Sequence, residues 1–325
     1  MRAIQRASIA ILIFAGILSW AMPASPQDYP GKPVRIVTGG AGTFHDIVTR
    51  QLAQRLSERW GQPIIVENRP GAGMTIAAGT VVRSAPDGYT LLMADRTCIA
   101  VAPSLYKNLP YDPIRDLMPI TLAALAPMML VAHPSVPASN LLEFVEHVKK
   151  QPAAFHYASA GPGTAIHMTG ELFKHVAGVN MVSVNYKGGG AATMAIVSGE
   201  VKAGFGSIPN VLPHVSVGKL KAYATTSKTR FGSAPDVPTA GEAGMPDLES
   251  AQWIGILAPA KTSPALIGRL NREIVEILRT PAMRNALLAQ GAESAPGTPA
   301  EFATFIKSET AKLKKVIELS GVRAE

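Results

Sequence analysis

The hydrophobic positions fall into short apolar runs that alternate with stretches carrying a helical stripe. Val34-Arg35-Ile36-Val37 reads as a strand, and Val48, Leu52 and Leu56 behind it recur every four residues, one face of a helix. Ile64-Ile65-Val66 is a second strand, 75–83 a short alanine-rich helix, and 89–93 a third strand after the Pro86-Asp87-Gly88 turn. The pattern begins again after Pro127. Met128 to Val131 is a strand, Ser139 is placed to cap a helix burying Leu141, Leu142, Val145 and Val148, and 156–158 and 182–184 are further strands. Ser263-Pro264 opens a helix with Leu270, Ile274, Ile277 and Leu278 on one face. Thr298-Pro299-Ala300-Glu301 is a capping box that opens a last helix burying Phe302, Phe305, Ile306 and Leu313. Alternation of strand and helix predicts an α/β fold of parallel sheets covered on both faces.

The loops that follow the strands carry the glycine. Thr38 to Asp46 runs from strand to helix through Gly39, Gly40 and Gly42. Ser159-Ala160-Gly161-Pro162-Gly163-Thr164 does the same before a helix with Met168, Leu172 and Phe173, and Tyr186-Lys187-Gly188-Gly189-Gly190 is a third such loop. A glycine loop entering a helix presents free N–H groups at a positive helix end, which is an anion seat. Each glycine could equally serve only a positive-φ turn. Because the motif occurs in both halves, two α/β domains with facing loops would enclose a ligand cleft.

Composition narrows what that ligand and its setting can be. The chain has 325 residues, 47% hydrophobic and 17% charged, as a well-packed globular protein does. Arg2 and Arg6 precede an apolar run from Ile9 to Leu18, with small residues at Ser19, Ala21 and Ala24. This reads as a signal peptide over 1–24, cleaved after Ala21 or Ala24, and as export to a periplasm; the alternative is an N-terminal anchor, for which the run falls short of the about 20 residues a span needs. One cysteine, Cys98, excludes an internal disulfide and reads as a buried thiol. The net charge is +8, or +6 without Arg2 and Arg6. That surplus suits anionic ligands or simply a solvated surface. The basic residues are scattered without interleaved aromatics, so nucleic acid is not an expected partner.

Catalytic and metal signatures are lacking: no Gly-x-Ser-x-Gly elbow, no His-Glu-x-x-His, and no ligand-spaced cluster, so neither metal nor cofactor is expected. An exported nicotinamide oxidoreductase is the alternative enzyme reading. Gly39, Gly40 and Gly42 match its fingerprint, with Glu67 after the second strand, but His45 stands where the third glycine belongs and no Tyr-x-x-x-Lys pair follows.

Longer motifs carry a resemblance. Tyr29 to Val37, Val66-Glu-Asn-Arg-Pro-Gly-Ala-Gly, Ala85-Pro-Asp-Gly-Tyr-Thr-Leu-Leu, Tyr106-Lys-Asn-Leu-Pro-Tyr-Asp-Pro, Tyr157-Ala-Ser-Ala-Gly-Pro-Gly-Thr, Leu212-Pro-His and Pro235-Asp-Val-Pro-Thr are similar, in this order, to the Bug family. These are the extracytoplasmic receptors of tripartite tricarboxylate transporters, and the resemblance runs from about Tyr29 to the C-terminus. It implies a two-lobed periplasmic-binding-protein fold of the type II, Venus-flytrap kind. The first lobe would comprise 27–127 and 254–325 and the second 128–253, with crossings near 125–128 and 252–255 and the last two helices on the first lobe. It further implies a monomer that captures a small organic carboxylate and delivers it to the membrane subunits of such a transporter, or, alternatively, a sensor docking on a receptor kinase ectodomain.

Carried across, the ligand loops are Ala41, Gly42, Thr43, Phe44, His45 and Asp46, facing Ser159, Gly161, Gly163 and Thr164. Three departures bear on specificity. The first loop lacks the family's Pro-Phe-x-x-Gly-Gly. The third-strand loop, usually small and uncharged, is Ala94-Asp95-Arg96-Thr97. Gly206-Ser207 replaces an acid or amide. Gly206 is expected to enlarge the distal pocket, and Arg96 to clamp a carboxylate bidentately or else to pair with an acid at the surface.

Overall fold

The computed structural model describes residues 29–151 and 155–322; the leader expected over 1–24 lies outside them. The first part of the chain folds as β1 (Val34–Thr38), α1 (Phe44–Trp60), β2 (Ile64–Asn68), α2 (Thr75–Val82) and β3 (Thr90–Asp95). A π-helical turn (Thr97–Val101) then runs into the short α3 (Ala102–Leu105). The long strand β4 (Leu117–Ala132) leads to α4 (Leu141–Lys149), β5 (His156–Ser159), α5 (Ala165–Ala177), β6 (Val182–Asn185), α6 (Gly189–Val197), β7 (Ala203–Ser207), α7 (Ile208–Ser216) and β8 (Lys221–Thr225). The chain returns through β9 (Ala251–Pro259), α8 (Pro264–Leu278), α9 (Pro281–Ala289), β10 (Glu293–Ser294) and α10 (Pro299–Ser320).

Local chemistry sets these boundaries. Gly61, at φ +63°, ends α1 and returns its N–H to Ser57. The capping box at Thr298 and Glu301 forms as the sequence predicts. The cap of α4 is Asn140, whose side chain accepts from Glu143 N, and not Ser139, whose own N–H is held by the Glu143 carboxylate.

Two sheets share one strand. In the first, β2, β1 and β3 are parallel, and β9 and then β4 follow antiparallel to their neighbours. In the second, β6, β5 and β7 are parallel, β4 lies antiparallel to β7, and β8 beyond it is antiparallel to β4. The sheets are therefore mixed and not uniformly parallel. The reversed strand is β9 in the first sheet and β4 in the second; β4 pairs with β9 up to Pro127 and with β7 from Met128 onward, crossing between sheets without a break. Proline has no N–H to extend the ladder, which suits the point of change. The chain crosses back between Thr226 and Ala251, and Gln252 to Gly255 are already paired in the first sheet.

One face of the first sheet buries Ile36, Leu91 and Ile254 under Val48, Leu52 and Leu56 of α1 and Leu270 and Ile274 of α8. The other face joins a core that continues into the second sheet through Phe144, Phe173 and Phe205. The last helix borders both. Phe302 meets Trp253 edge-on at 5.8 Å, over a Gly255 whose Cβ would lie 2.2 Å from the ring, while its second half lies against α5.

Candidate site where the two sheet edges meet

Strand direction determines what the sheets show each other. β1 and β3 end at Thr38 and Asp95, and antiparallel β9 begins at Ala251 beside Pro127, so all of these lie on one edge of the first sheet. In the second sheet β5 and β7 end at Ser159 and Ser207, and Ser207 pairs with Met128, the next residue of β4. The carboxyl edges of both sheets thus adjoin at the crossing, the position where open α/β sheets bind ligands.

On the first edge the glycine loop is stitched to itself. The Thr43 hydroxyl donates to Gly40 O at 2.6 Å, and Asp46 Oδ2 accepts from Gly42 N at 2.8 Å. Arg50 and Asn68 also donate to the Asp46 carboxylate, at 3.1 and 2.8 Å. Burial pushes that carboxyl up, but the bonds from Asn68, Arg50 and Gly42 outweigh it and hold its pKa below the ordinary value. Asp46 therefore braces the loop and does not offer itself to a ligand. Ala41, Gly42 and Thr43 remain exposed, and Phe44 is half-buried on the α1 core.

His45 turns inward. Its Nε2 is buried without a hydrogen-bond partner, and a Cβ at Gly39 would lie 2.3 Å from it, so Gly39 makes room for the imidazole. Burial lowers the pKa of His45, against the opposing pull of Asp95 and Asp46. Asp95 closes the π-helical turn: its Oδ1 accepts from Thr97 N at 2.9 Å and Cys98 N at 3.0 Å, and its Oδ2 accepts from Gln252 Nε2 at 3.1 Å. Cys98 is buried, as its sequence context suggested.

Arg96 takes neither expected role. It is 2% exposed, and its Nη1 donates to Ser250 Oγ and to Ala251 O, both at 2.9 Å. Ser250 Oγ lies 2.9 Å from the Thr169 hydroxyl of α5. The guanidinium is thus a buried tie from the first sheet to the returning crossing, not a carboxylate clamp and not a surface ion pair. Desolvation lowers its pKa, with Glu309 and Asp95 opposing.

The second edge is built with hydroxyls. Thr164 Oγ1 donates to Gly161 O at 2.7 Å and accepts from His167 N at 3.3 Å, and Ser159 Oγ accepts from Gly161 N at 3.4 Å. These groups shape the loop and cap α5. Gly163, at φ +76°, would with a Cβ come within 3.0 Å of Leu105 Cδ2, so the two edges touch here.

The next two helices differ. Gly188 and Ser207 precede α6 and α7 with no side-chain cap, leaving the first N–H groups of each helix without a side-chain acceptor. Gly189 brings these starts together: its Cβ would lie 3.1 Å from Ile166 of α5 and 3.4 Å from Asn210 of α7. Gly206 does not open a pocket. A Cβ there would meet Val211 at 2.3 Å, so the glycine lets α7 settle on β7.

Sequence reasoning missed Asp95 and Gln252 as a pair, and it read the Gly188–Gly190 loop at the α6 start without carrying it into the expected ligand loops. An acid ending an apolar strand and a glutamine opening one were the available signals. Among the described residues no group of three or more His, Cys, Asp or Glu is placed to hold a metal ion.

Comparison with known proteins agrees with this geometry. A family model described as tripartite tricarboxylate transporter family receptor matches residues 48–322. The chain belongs to this family. It is 34% identical to Protein BugT of Bordetella pertussis over 313 residues, 96% of either chain. Among solved structures it resembles an R. palustris protein determined with adipate at TM-score 0.77 and 29% identity, over 91% of this chain and 99% of that one. It resembles MatC of Rhodopseudomonas palustris with bound malate at TM-score 0.72 and 31% identity, over 89% and 100%. The receptor family is one of periplasmic binding proteins of α/β fold.

Proposed function

We propose that this receptor captures a small organic carboxylate between its two sheet edges and hands it to the membrane subunits of a tripartite tricarboxylate transporter. It acts as a monomer exported through a cleaved leader, without catalysis. The observation that carries the reading is the pair of helix starts at α6 and α7. They lack side-chain caps on an edge that adjoins the first one at the crossing, so their N–H groups and dipoles are available to an anion. The likeness to proteins holding adipate and malate supports a carboxylate as that anion. The sheets would act as lobes that pivot at Pro127/Met128 in β4 and at Ser250/Ala251, closing on the ligand.

A thermal-shift screen of mono-, di- and aromatic carboxylates on ligand-free protein tests this. A true ligand at 100 times its dissociation constant adds about 2.7 kcal/mol of stability. Failure of every carboxylate to raise the melting temperature overturns the reading. Delivery is tested by growth on that carboxylate, which should be lost on deletion of either this gene or the membrane subunits.

A further inference from the structure

The two crossings between the sheets are held by one buried network of hydroxyls and a guanidinium. Thr226 Oγ1 accepts from Met128 N at 2.9 Å and donates to Ser250 O, so the outgoing and returning crossings are bonded to each other. Arg96 Nη1 reaches Ser250 Oγ and Ala251 O from the end of β3, and Ser250 Oγ meets Thr169 Oγ1 of α5 at 2.9 Å. Because Ser250 Oγ accepts from the guanidinium, its own proton is left for Thr169. The Ser250 hydroxyl therefore has one partner on β3 of the first sheet and one on a helix of the second. Arg96, Thr169, Thr226 and Ser250 are each no more than 4% exposed, so water does not compete for these bonds.

The guanidinium is otherwise poorly matched. Its Nε is buried without a partner. The two acids in its field spend their oxygens elsewhere, Asp95 on Thr97, Cys98 and Gln252, and Glu309 on Lys312. A buried cation without an ion pair adds little to stability, because desolvation offsets its bonds. What it does supply is a fixed direction, set by the planar guanidinium. That direction is tied to Thr169 through a single shared hydroxyl, which satisfies both partners only over a narrow range of lobe angles. At the angle described the lobes also touch, Gly163 against Leu105 and Gly291 against Pro209, where added Cβ atoms would lie at 3.0 and 2.2 Å.

We infer that Arg96, Ser250 and Thr169 form a latch on the pivot, which holds the empty receptor near this lobe angle. This rests on the pivoting lobes proposed above and deepens that reading. Arg96 is then a positioning residue, acting through Ser250 and touching no ligand. The share of molecules already at the binding-competent angle scales the affinity for every carboxylate alike. Selectivity stays with the sheet edges, and the latch sets how much of the receptor is ready to bind.

The test is a pulsed electron-spin distance measurement between nitroxides on Gln54→Cys and Lys219→Cys, exposed positions on the two lobes, with the native Cys98 thiol buried. In the empty protein Thr169→Val, which loses the hydroxyl and little else, should raise the share of molecules at a second distance about fivefold, the effect of one hydrogen bond. Ser250→Ala should do at least as much. Distance distributions unchanged from the parent in the folded variants overturn the inference, and if Ser250→Ala does not fold, Thr169→Val alone decides. Titration with adipate and malate separates a latch from a ligand contact. Both affinities should fall by one common factor in Thr169→Val, with their ranking kept; unequal factors make this a ligand contact and overturn the latch. In the parent, a distance that does not move when either acid binds overturns the pivot and the latch with it, but leaves carboxylate capture standing. If neither acid binds, the empty protein decides.

Discussion

The two adjoining edges share one architecture, strand into glycine loop into helix, yet they brace their loops with different groups. The first edge fills its own N–H groups with carboxylates: Asp46 takes Gly42 N, and Asp95 takes Thr97 N and Cys98 N. The second uses neutral hydroxyls at Ser159 and Thr164 to brace its loop. α6 and α7 have no side-chain cap, and neither has α1 on the first edge, but among the described residues no carboxylate sits beside the α6 and α7 starts as Asp46 sits beside that of α1. A glycine loop at a strand end is therefore only an opportunity for anion binding. Whether a ligand can use it depends on whether the protein's own carboxylate already does.

The most disruptive probe of the second edge is Gly206→Ala. With Val211 at 2.3 Å from the added carbon, it should cost about 1–3 kcal/mol in chemical denaturation. An unchanged midpoint would mean that the glycine faces open space after all. Ser207→Asp then makes the second edge resemble the first. It should weaken carboxylate binding at least tenfold, about 1.4 kcal/mol, while stability holds or rises by about 0.5–1 kcal/mol from the new cap. Retained affinity would show that the α7 start is not a ligand seat.

Smaller effects sharpen the first edge. Asp46→Asn should destabilise by about 1 kcal/mol at neutral pH, the net worth of a lost hydrogen bond. The folded-state pKa of Asp46 lies below the unfolded one, so its contribution is full above the ordinary carboxylate range and fades as pH falls through the acid range. The two proteins should therefore converge in stability on acidification. The least effect belongs to His45→Gln. Burial lowers the histidine's pKa, so the unfolded chain takes up a proton near pH 6.5, about its ordinary value, that the folded protein resists. Stability should decline below that pH in the parent and decline less steeply in His45→Gln, read by melting temperature against pH.

The alternation of apolar runs, the caps at Ser263 and Thr298 and the two-lobed receptor fold were legible because each depends on near neighbours in sequence or on long ordered motifs. What was not legible depended on partners far along the chain. Arg96 looked like a ligand clamp until Ser250, 154 residues later, claimed it. Gly206 looked like a missing side chain until Val211 filled the space. Asp95 and Gln252 lie 157 residues apart, and nothing near either one announces the other. The uniform parallel sheets failed for a related reason: the strands at the two crossings, β9 in the first sheet and β4 in the second, run against their neighbours, and their partners lie far along the chain.

The crossing has one further consequence. Met128, where the chain enters the second sheet, accepts a bond from Thr226 N and donates its own N–H to the Thr226 hydroxyl, and Thr226 O in turn accepts from Ser250 N, where the chain leaves. The whole stretch between these points is thus spliced into the first sheet through two adjacent seams, like a cassette. A chimera joined at Met128 and Ser250 to a relative of different appetite would exchange the uncapped helix starts as a set, while keeping Asp95, Gln252 and the Arg96 tie. Descendants of one ancestral receptor could diversify by such exchange, trading one wall of the cleft without redesigning the other.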